Sequence, residues 1–223
     1  MKQITITLFA LFIFWSGHSQ TRVLIKPEVD KLFPESVQQQ LGLKYPIRLV
    51  YNYADKTGDY YMPLCESVDS ATVEDTLHWK IKAVNLKLES GVFSKVWELN
   101  DHILTVEMEE SIWFFTKYTT IKDLDGDGVA DPVMIYGSSG ENGVDDGRMK
   151  ILIYYKGKKV AIRHQNSVYD GLRKTEVDKE FYELPDKVQT FVKGVMNRLE
   201  VDNHVIYASG WLQKMNKKMT KIE

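Results

Sequence analysis

Four aspartates at alternating positions are the residues of this sequence best suited to chemistry, and that chemistry is cation binding. They stand at positions 1, 3, 5 and 9 of one loop: Asp123, Asp125, Asp127 and Asp131. Gly128 takes position 6, where such a loop turns sharply, and the backbone carbonyl of Val129 serves position 7. A hard cation takes about six to eight oxygen ligands, and this segment presents most of them. The spacing therefore predicts a calcium site.

The residues on either side of the loop are typical of strands and not of the helices of an EF-hand. FFTKYTTI precedes the loop, PVMIYG follows it, and Met134 stands at position 12, where an EF-hand has Glu. The segment resembles the strand–loop–strand calcium turns of FG-GAP and VCBS-type repeats, whose ligand set ends at position 9. The chain holds one copy of the motif, which excludes a seven-bladed propeller. A solvated acidic hairpin turn is the alternative.

A calcium ion in this loop is expected to be structural. The chain has one cysteine, Cys65, so no disulfide can form within it, and metal binding would add directly to the stability of the folded state. Because the loop fills its own coordination shell, it leaves little room for a substrate at the ion. Cys65 follows the apolar run YYMPL and is interpreted as a small buried hydrophobic residue.

A glycine-rich connection, GSSGENGVDDGR at 137–148, carries three further carboxylates: Glu141, Asp145 and Asp146. Long loops between strands often hold function, so these three residues are candidate ligand-binding residues. Two carboxylates can serve as acid and base in glycoside hydrolysis, but Asp145 and Asp146 are adjacent and would face opposite ways in an extended chain. They could instead lend an oxygen to the calcium ion. A solvated loop is the alternative.

A row of polar side chains ends a predicted strand in the stretch AIRHQNS at 161–167. Its members Arg163, His164 and Gln165 offer donors and acceptors that suit a sugar hydroxyl or a carboxylate. No serine or acid stands in a recognisable triad order with His164, so no catalytic residue is assigned. The row is a candidate ligand-binding edge, and structural hydrogen bonding by His164 is the alternative.

Most of the chain has the apolar alternation of strands. Strands are predicted at 47–53, 60–66, 77–90, 102–108, 112–121, 133–137, 150–156 and 159–164. Pro63 places the second of these at an edge or a bulge. Apolar positions switch from odd to even near Ala83, which predicts a bulge or a break there. Gly157 is expected to close a hairpin between the last two strands.

Two helices are predicted. The clearer one begins at 185 and repeats apolar residues at helical spacing to 199, so one of its faces should pack on a sheet. A shorter one spans 34–41 and ends at Gly42. The expected fold is α+β, mainly β, with antiparallel sheet, one calcium-loop hairpin and a packing helix near the C-terminus. Residues 20–223 are interpreted as one β-rich domain, and two subdomains that share one sheet and meet near residue 110 are the alternative.

The charge balance argues against nucleic-acid binding. The chain has 223 residues and a formal net charge of −2. Nucleic-acid binding needs clustered Lys and Arg to neutralise phosphates, and the basic residues near the C-terminus are better explained as a solvated end.

The N-terminus has the pattern of an export signal. Lys2 precedes an unbroken apolar run at 8–15, and Gly17 and Ser19 stand at positions −3 and −1 of a cleavage site. The run is shorter than the ~20 residues that span a bilayer. We therefore expect a signal peptide at 1–19, a mature chain without a transmembrane span, and a periplasmic or cell-surface location. A retained N-terminal anchor is the alternative.

Four stretches give the chain a wider resemblance: VYNYADKTGDYY, VWELND, DLDGDGVADPVMIYG and GRMKILIYYKGKKVAIRHQNS. With them the chain resembles a family of exported bacterial proteins described as surface polysaccharide biosynthesis proteins. The resemblance implies an envelope context and assigns no catalytic residue.

The leading expectation for function is a non-enzymatic, calcium-stabilised module that binds envelope glycan or another envelope protein. The alternative is an enzyme of surface polysaccharide assembly or trimming that uses Glu141, Asp145 or His164. An enzyme should have a deep pocket on which those residues converge, whereas a binding module should have a shallow face.

Overall fold

The computed structural model describes residues 21–71 and 75–223, so the predicted signal peptide at 1–19 lies outside the described residues. The strands are, in chain order, β1 (Thr21–Val23), β2 (Ile47–Asp55), β3 (Gly58–Glu66), β4 (Ser70–Ala71), β5 (Thr76–Leu77), β6 (Lys80–Glu89), β7 (Val92–His102), β8 (Ser111–Phe114), β9 (Thr120–Lys122), β10 (Asp131–Ser139), β11 (Arg148–Tyr155), β12 (Lys158–Gln165), β13 (Lys174–Val177) and β14 (Lys221–Ile222). The helices are α1 (Lys26–Leu32), α2 (Glu35–Leu41), α3 (Asp186–Val201) and α4 (Trp211–Asn216). Short 3-10 turns cover Thr105–Glu107, Val144–Asp146, Asp170–Leu172 and Lys179–Glu183.

Two antiparallel sheets dominate the fold. The first has the strand order β1-β2-β3-β6-β7, and the second has the order β14-β13-β12-β11-β10-β8, with β9 also paired to β10. A small pair, β4 and β5, stands apart. The predicted α+β fold, mainly β and antiparallel, is confirmed. Residues 21–102 build the first sheet and residues 111–222 the second, so the alternative of two halves sharing one sheet is wrong.

The sheets and helices form four layers, with an apolar core between each pair of neighbouring layers. On the outer face of the first sheet, Leu86 packs with Phe33 of the α1–α2 segment. The inner faces of the two sheets pack on each other, with Leu64 from one and Met134 from the other. On the outer face of the second sheet, α3 buries a stripe that includes Val192. The order of layers is therefore helices, sheet, sheet, helices.

Strand β6 is unbroken at Ala83, and of the predicted bulge or break only a bulge occurs, two residues further along. Ile81 and Ala83 face the core between the sheets, whereas Val84 and Leu86 face the core under α1 and α2. The switch from odd to even apolar positions arises because both faces of this strand are buried. A bulge does occur nearby, where the pairing of β6 with β7 shifts register between Asn85 and Leu86.

Strand β3 corrects the interpretation of Pro63. Because β3 lies between β2 and β6, Pro63 is in an interior strand and not at an edge, whereas a bulge does occur close by, where the pairing of β2 with β3 shifts register between Ile47 and Leu49. It pairs with Val50 of β2, and the ladder to β6 has no paired residues between Tyr61 and Leu64. The amide that proline lacks therefore falls where β3 and β6 are not paired.

Two other predicted strands are also corrected. The strand at 102–108 does not form, because β7 ends at His102 and a 3-10 turn follows. The strand predicted at 112–121 is two short strands, β8 and β9. The helix at α3, the shorter helix at α2 with Gly42 in the left-handed region (φ 68°), and the hairpin at Gly157 are confirmed. Within the described ranges, no helix is long and apolar enough to cross a bilayer.

A buried ionic network ties the two sheets together at Arg148. The Arg148 guanidinium lies 2.7 Å from Glu109 Oε1 and 2.9 Å from Asp101 Oδ2, and the ammonium of Lys150 lies 2.8 Å from the same Asp101 oxygen. Burial alone would raise the pKa of Asp101, but hydrogen bonds from Arg148 and Lys150 outweigh it and hold that pKa well below its ordinary value. These groups join β7 of the first sheet to β11 of the second.

Candidate metal centre

The aspartate loop joins two antiparallel strands, the short β9 and the longer β10. Asp131 is the first residue of β10 and pairs with Lys122, the last residue of β9. The loop turns through Gly126 and Gly128, whose φ values of 91° and 85° lie in the region that favours glycine. The predicted strand–loop–strand arrangement is therefore present, with a glycine where the sharp turn was expected.

Three of the four aspartates converge. One carboxylate oxygen from each of Asp123, Asp125 and Asp131 lies within 4.8 Å of the other two. Asp131 is only 1% exposed. Burial, reinforced by the neighbouring carboxylates, raises the pKa of Asp131 to about 6. In the described part of the chain its carboxylate accepts one hydrogen bond, from Leu124 N at 3.0 Å, and has no ion pair.

Backbone amides hold the loop in its curved form. Asp123 Oδ1 accepts hydrogen bonds from the amides of Gly126 at 2.7 Å and Asp127 at 3.1 Å, and Asp123 Oδ2 accepts one from Gly128 at 2.8 Å. Asp125 Oδ1 accepts a bond from the amide of Asp127 at 3.0 Å. The carboxylates are therefore oriented by the loop that carries them, with the remaining oxygen lone pairs free for a cation.

Asp127 is placed differently from the other three aspartates. Its Oδ2 forms an ion pair of 2.9 Å with Lys156, and its Oδ1 accepts a hydrogen bond from Val129 N at 2.9 Å. The hydrogen bond from Lys156 lowers the pKa of Asp127. The carboxylate cluster does not include Asp127, so the predicted ligand roles of Asp127 and of the Val129 carbonyl remain predictions.

The tip of the β2–β3 hairpin closes over the loop. Asp55 Oδ2 accepts a hydrogen bond from Ala130 N at 3.0 Å, and Lys56 N donates to the Gly128 carbonyl at 3.1 Å. The Lys56 ammonium also donates to the Asp127 carbonyl. The turn at 55–58, interpreted from sequence as an ordinary turn, thus fastens the first sheet to the loop of the second.

Two further elements contact Asp125. The Tyr155 hydroxyl at the end of β11 donates to Asp125 Oδ2 at 2.8 Å, and the Lys187 ammonium of α3 donates to the Asp125 carbonyl at 3.2 Å. The loop is therefore a junction of both sheets and α3. Sequence reasoning missed these contacts, because tyrosines and lysines distant along the chain carry no spacing signal.

The donor set fits a hard divalent cation. The converging ligand atoms are all carboxylate oxygens, with no sulfur or nitrogen among them. The loop and its surroundings hold five carboxylates: Asp55, Asp123, Asp125, Asp127 and Asp131. Of the nearby lysines, Lys156 forms an ion pair with Asp127, whereas the ammonium groups of Lys56 and Lys187 donate to backbone carbonyls of the loop.

Glu141, Asp145 and Asp146 lie at the other end of β10 from the aspartate loop. The nine residues of β10 separate the two ends by about 30 Å at ~3.3 Å per residue. The expectation that Asp145 or Asp146 lends an oxygen to the ion is therefore wrong. Asp146 Oδ2 instead accepts hydrogen bonds from the amide nitrogens of Asn142, at 3.1 Å from the backbone and 2.5 Å from the side chain.

His164 belongs to a buried polar network. It is 3% exposed, and its ring lies edge-on to Tyr207 with centroids 4.7 Å apart. Its Nε2 donates to Asn166 Oδ1 at 2.8 Å, and its Nδ1 accepts from the Thr175 hydroxyl at 2.8 Å. Burial lowers the pKa of His164 to about 4. The geometry agrees with the alternative of structural hydrogen bonding and leaves no ring nitrogen facing solvent.

Arg163 and Gln165 point to the opposite face of β12, because successive side chains of a strand alternate. Arg163 forms an ion pair of 2.6 Å with Asp178, and Gln165 Nε2 donates to the carbonyls of Asp146 at 3.0 Å and Gly147 at 3.3 Å. A small cavity of about 240 Å³ lies beside these two side chains. Ligand binding by Arg163 and Gln165 stays a prediction.

Cys65 is fully buried under α1 and α2, and burial raises the pKa of its thiol to about 12. A thiol in that state is not a nucleophile. The aspartate loop is therefore the best-formed site among the residues singled out from the sequence, and its converging carboxylate oxygens suit a hard cation. No family model, no curated protein and no solved structure matches this chain.

Proposed function

We propose that this chain is an exported, calcium-stabilised binding module of the cell envelope, linked to surface polysaccharide, and not an enzyme. One observation carries the calcium assignment: three carboxylates meet within 4.8 Å, and one of them, Asp131, is buried without an ion pair among the described residues. A buried carboxylate surrounded by like charges is unfavourable unless a cation compensates it. Ca²⁺ is the hard cation that flexible all-oxygen loops of this spacing bind.

The role of the ion is to hold the junction together. The loop contacts the β2–β3 hairpin through Asp55, the β11–β12 hairpin through Tyr155, and α3 through Lys187. An ion that binds only the folded loop stabilises the whole fold by about 2.7 kcal/mol at a hundredfold excess over Kd. Calcium therefore takes the place that disulfides hold in many exported proteins.

A binding role is supported over catalysis by the positions of the candidate catalytic residues. Glu141 lies in an exposed loop, Asp145 lies in the 3-10 turn beyond it, and His164 is buried on the outer side of the second sheet. These three groups do not converge on one pocket. The export signal predicted at 1–19 and the resemblance to surface polysaccharide proteins support the envelope location.

A glycan array tests the proposed function directly. Protein beginning at Gln20 is applied with calcium and, in parallel, with a chelator. We expect binding to envelope-type glycans in calcium and loss of that binding in chelator, because the loop and the strands that it joins loosen together. Binding that ignores calcium, or release of a cleaved glycan, contradicts the proposal. Mass spectrometry of the protein from its native host tests export, with a mature N-terminus near Gln20 as the expected result.

A further inference from the structure

A cleft of about 730 Å³ opens where the two sheets meet, at the end of the molecule opposite the aspartate loop. Its walls come from β2, from the end of β3, from residues 75–78, from β8 and from the 139–143 loop. Clefts of about 300–1,000 Å³ are the usual size for small-ligand sites. Nothing in the proposed calcium site uses this cleft.

At the back of the cleft, the side chains of Glu66 and Arg48 from the first sheet form hydrogen bonds with the backbone at the end of β8. Glu66 is 5% exposed, and its Oε1 accepts hydrogen bonds from Phe114 N at 2.9 Å and from the Arg48 guanidinium at 2.6 Å. The Arg48 guanidinium also donates to the Phe114 carbonyl at 2.9 Å. One carboxylate oxygen, Glu66 Oε1, is thus occupied by the protein, and the other faces His78.

His78 lies beside that free oxygen. Its Nδ1 lies 2.5 Å from the Ser67 carbonyl, and since a carbonyl only accepts, Nδ1 carries the proton. Its Nε2 lies 3.7 Å from Glu66 Oε2, which is beyond hydrogen-bond distance. Among the described residues, Glu66 Oε2 therefore accepts no hydrogen bond, although the residue is buried. A ligand ammonium placed between Glu66 and His78 can donate a charged hydrogen bond to this oxygen.

The rest of the cleft favours a positively charged ligand with an apolar face. Glu110 and Glu141 are exposed at its rim, and the one arginine in the lining, Arg48, is already paired with Glu66. Trp113 is half-buried in the wall and offers an indole that can stack on a sugar ring or contact a cation. Acceptors and negative charge thus predominate around one aromatic surface.

We propose that this cleft binds an amine-bearing sugar, with its protonated amino group between Glu66 and His78 and its ring against Trp113. The choice of a sugar frame rests on the proposed glycan-binding function. The ammonium position rests on the cleft geometry alone.

Calorimetry with two matched disaccharides tests the proposal. The full chain is titrated with the β1,4-linked disaccharide of glucosamine and with its N,N′-diacetylated form, which keeps the frame and removes both charges. We expect the charged disaccharide to bind at least tenfold more tightly, since a charged hydrogen bond contributes about 1.5–3 kcal/mol. Equal affinities, or no binding of either sugar at millimolar concentration, would overturn the proposal, and so would tighter binding of a lysine peptide.

Variants locate the site and keep the test independent of folding. Glu66→Gln removes the charge at the back of the cleft, and the double variant Glu110→Gln, Glu141→Gln removes the charge of two exposed rim residues. We expect each to weaken the charged disaccharide tenfold or more, with the melting temperature of the rim variant unchanged. Glu180→Gln, an exposed residue outside the cleft, is the matched control and should bind as the wild type does. Unchanged binding by the rim variant would overturn the proposal, whereas a calcium-dependent melt tests the calcium claim separately.

Discussion

Burial of His164 makes the stability of this protein depend on pH in a way that one substitution should remove. Burial lowers the pKa of His164 to about 4, from 6.5 in an ordinary environment. Above pH 6.5 the residue is neutral in both the folded and the unfolded chain, and its contribution to stability is fully present. As the pH falls from 6.5 towards 4, the unfolded chain takes up a proton that the folded chain excludes, and that stability is lost.

The magnitude follows from the two pKa values. At ~1.36 kcal/mol per pKa unit, the contribution that is lost between about pH 7.5 and about pH 4.5 is about 2.5 kcal/mol. Urea unfolding at both pH values measures it. The wild type should lose this amount in addition to whatever His164→Gln loses, because the variant has no imidazole to titrate. His102→Gln, at an exposed histidine, is the control and should behave as the wild type does.

Hydrogen bonds that His164 makes to Asn166 and Thr175 are also lost in the variant. His164→Gln should therefore be less stable than the wild type at about pH 7.5, by about 1–3 kcal/mol. That loss does not bear on the pH difference, which is the decisive quantity. If wild type and variant lose the same free energy of unfolding between the two pH values, within ~0.5 kcal/mol, His164 protonates in the folded state and the reasoning from burial is refuted.

Two further substitutions test two contacts: the ionic network that links the two sheets, and the close approach of β10 and β11 within the second sheet. Arg148→Met leaves the buried Glu109 carboxylate without its partner and should lower the free energy of unfolding by about 3–5 kcal/mol in urea titration; a loss below ~1 kcal/mol would contradict the account of the network. Gly147→Ala would place a Cβ 1.8 Å from the Ser138 carbonyl oxygen. The end of β10 and the residue before β11 must then move apart, and the melting temperature should fall sharply. Gly171→Ala, where a Cβ meets nothing within 4 Å, is the control and should melt as the wild type does.

Elements defined by local patterns could be predicted from the sequence. The apolar repeat of α3 has helical spacing because one of its faces packs on the second sheet, and that spacing is visible without the fold. Gly42 and Gly157 both adopt positive φ, which is why they end a helix and close a hairpin. The aspartates of the loop lie within nine residues of one another, so their grouping is visible in the sequence, and three of the four converge in the structure.

The strands could not be predicted as well, because the pattern of apolar residues in a strand depends on what covers each of its two faces. Ile81 and Ala83 face one core and Val84 and Leu86 face another, and a sequence carries no sign that a strand has two covered faces. Strand β7 was missed for the opposite reason. It is the edge of the first sheet, and most of its 11 residues are exposed or half-buried, so apolar alternation is weak.

The surroundings of the site depend on contacts between distant parts of the chain. Asp127 is paired with Lys156 from the β11–β12 turn, and Asp55 reaches the loop from the β2–β3 turn. The cleft is assembled in the same way, since Glu66 and His78 meet only after β3 and the segment before β6 are brought together. No spacing in the sequence predicts these contacts, because they form only when the two sheets pack on each other.

Calcium titration by calorimetry, with matched thermal melts, tests the central claim most directly. Wild-type protein stripped with chelator should bind one calcium ion per chain. Its melting temperature should rise by about 5–10 °C at a hundredfold excess over Kd, because ~2.7 kcal/mol corresponds to ~2–4 °C per kcal/mol at this size. Asp125→Ala should abolish both signals, and Asp170→Asn, at an exposed aspartate far from the loop in sequence, should keep them. No binding heat together with identical melts in calcium and in chelator would contradict the account.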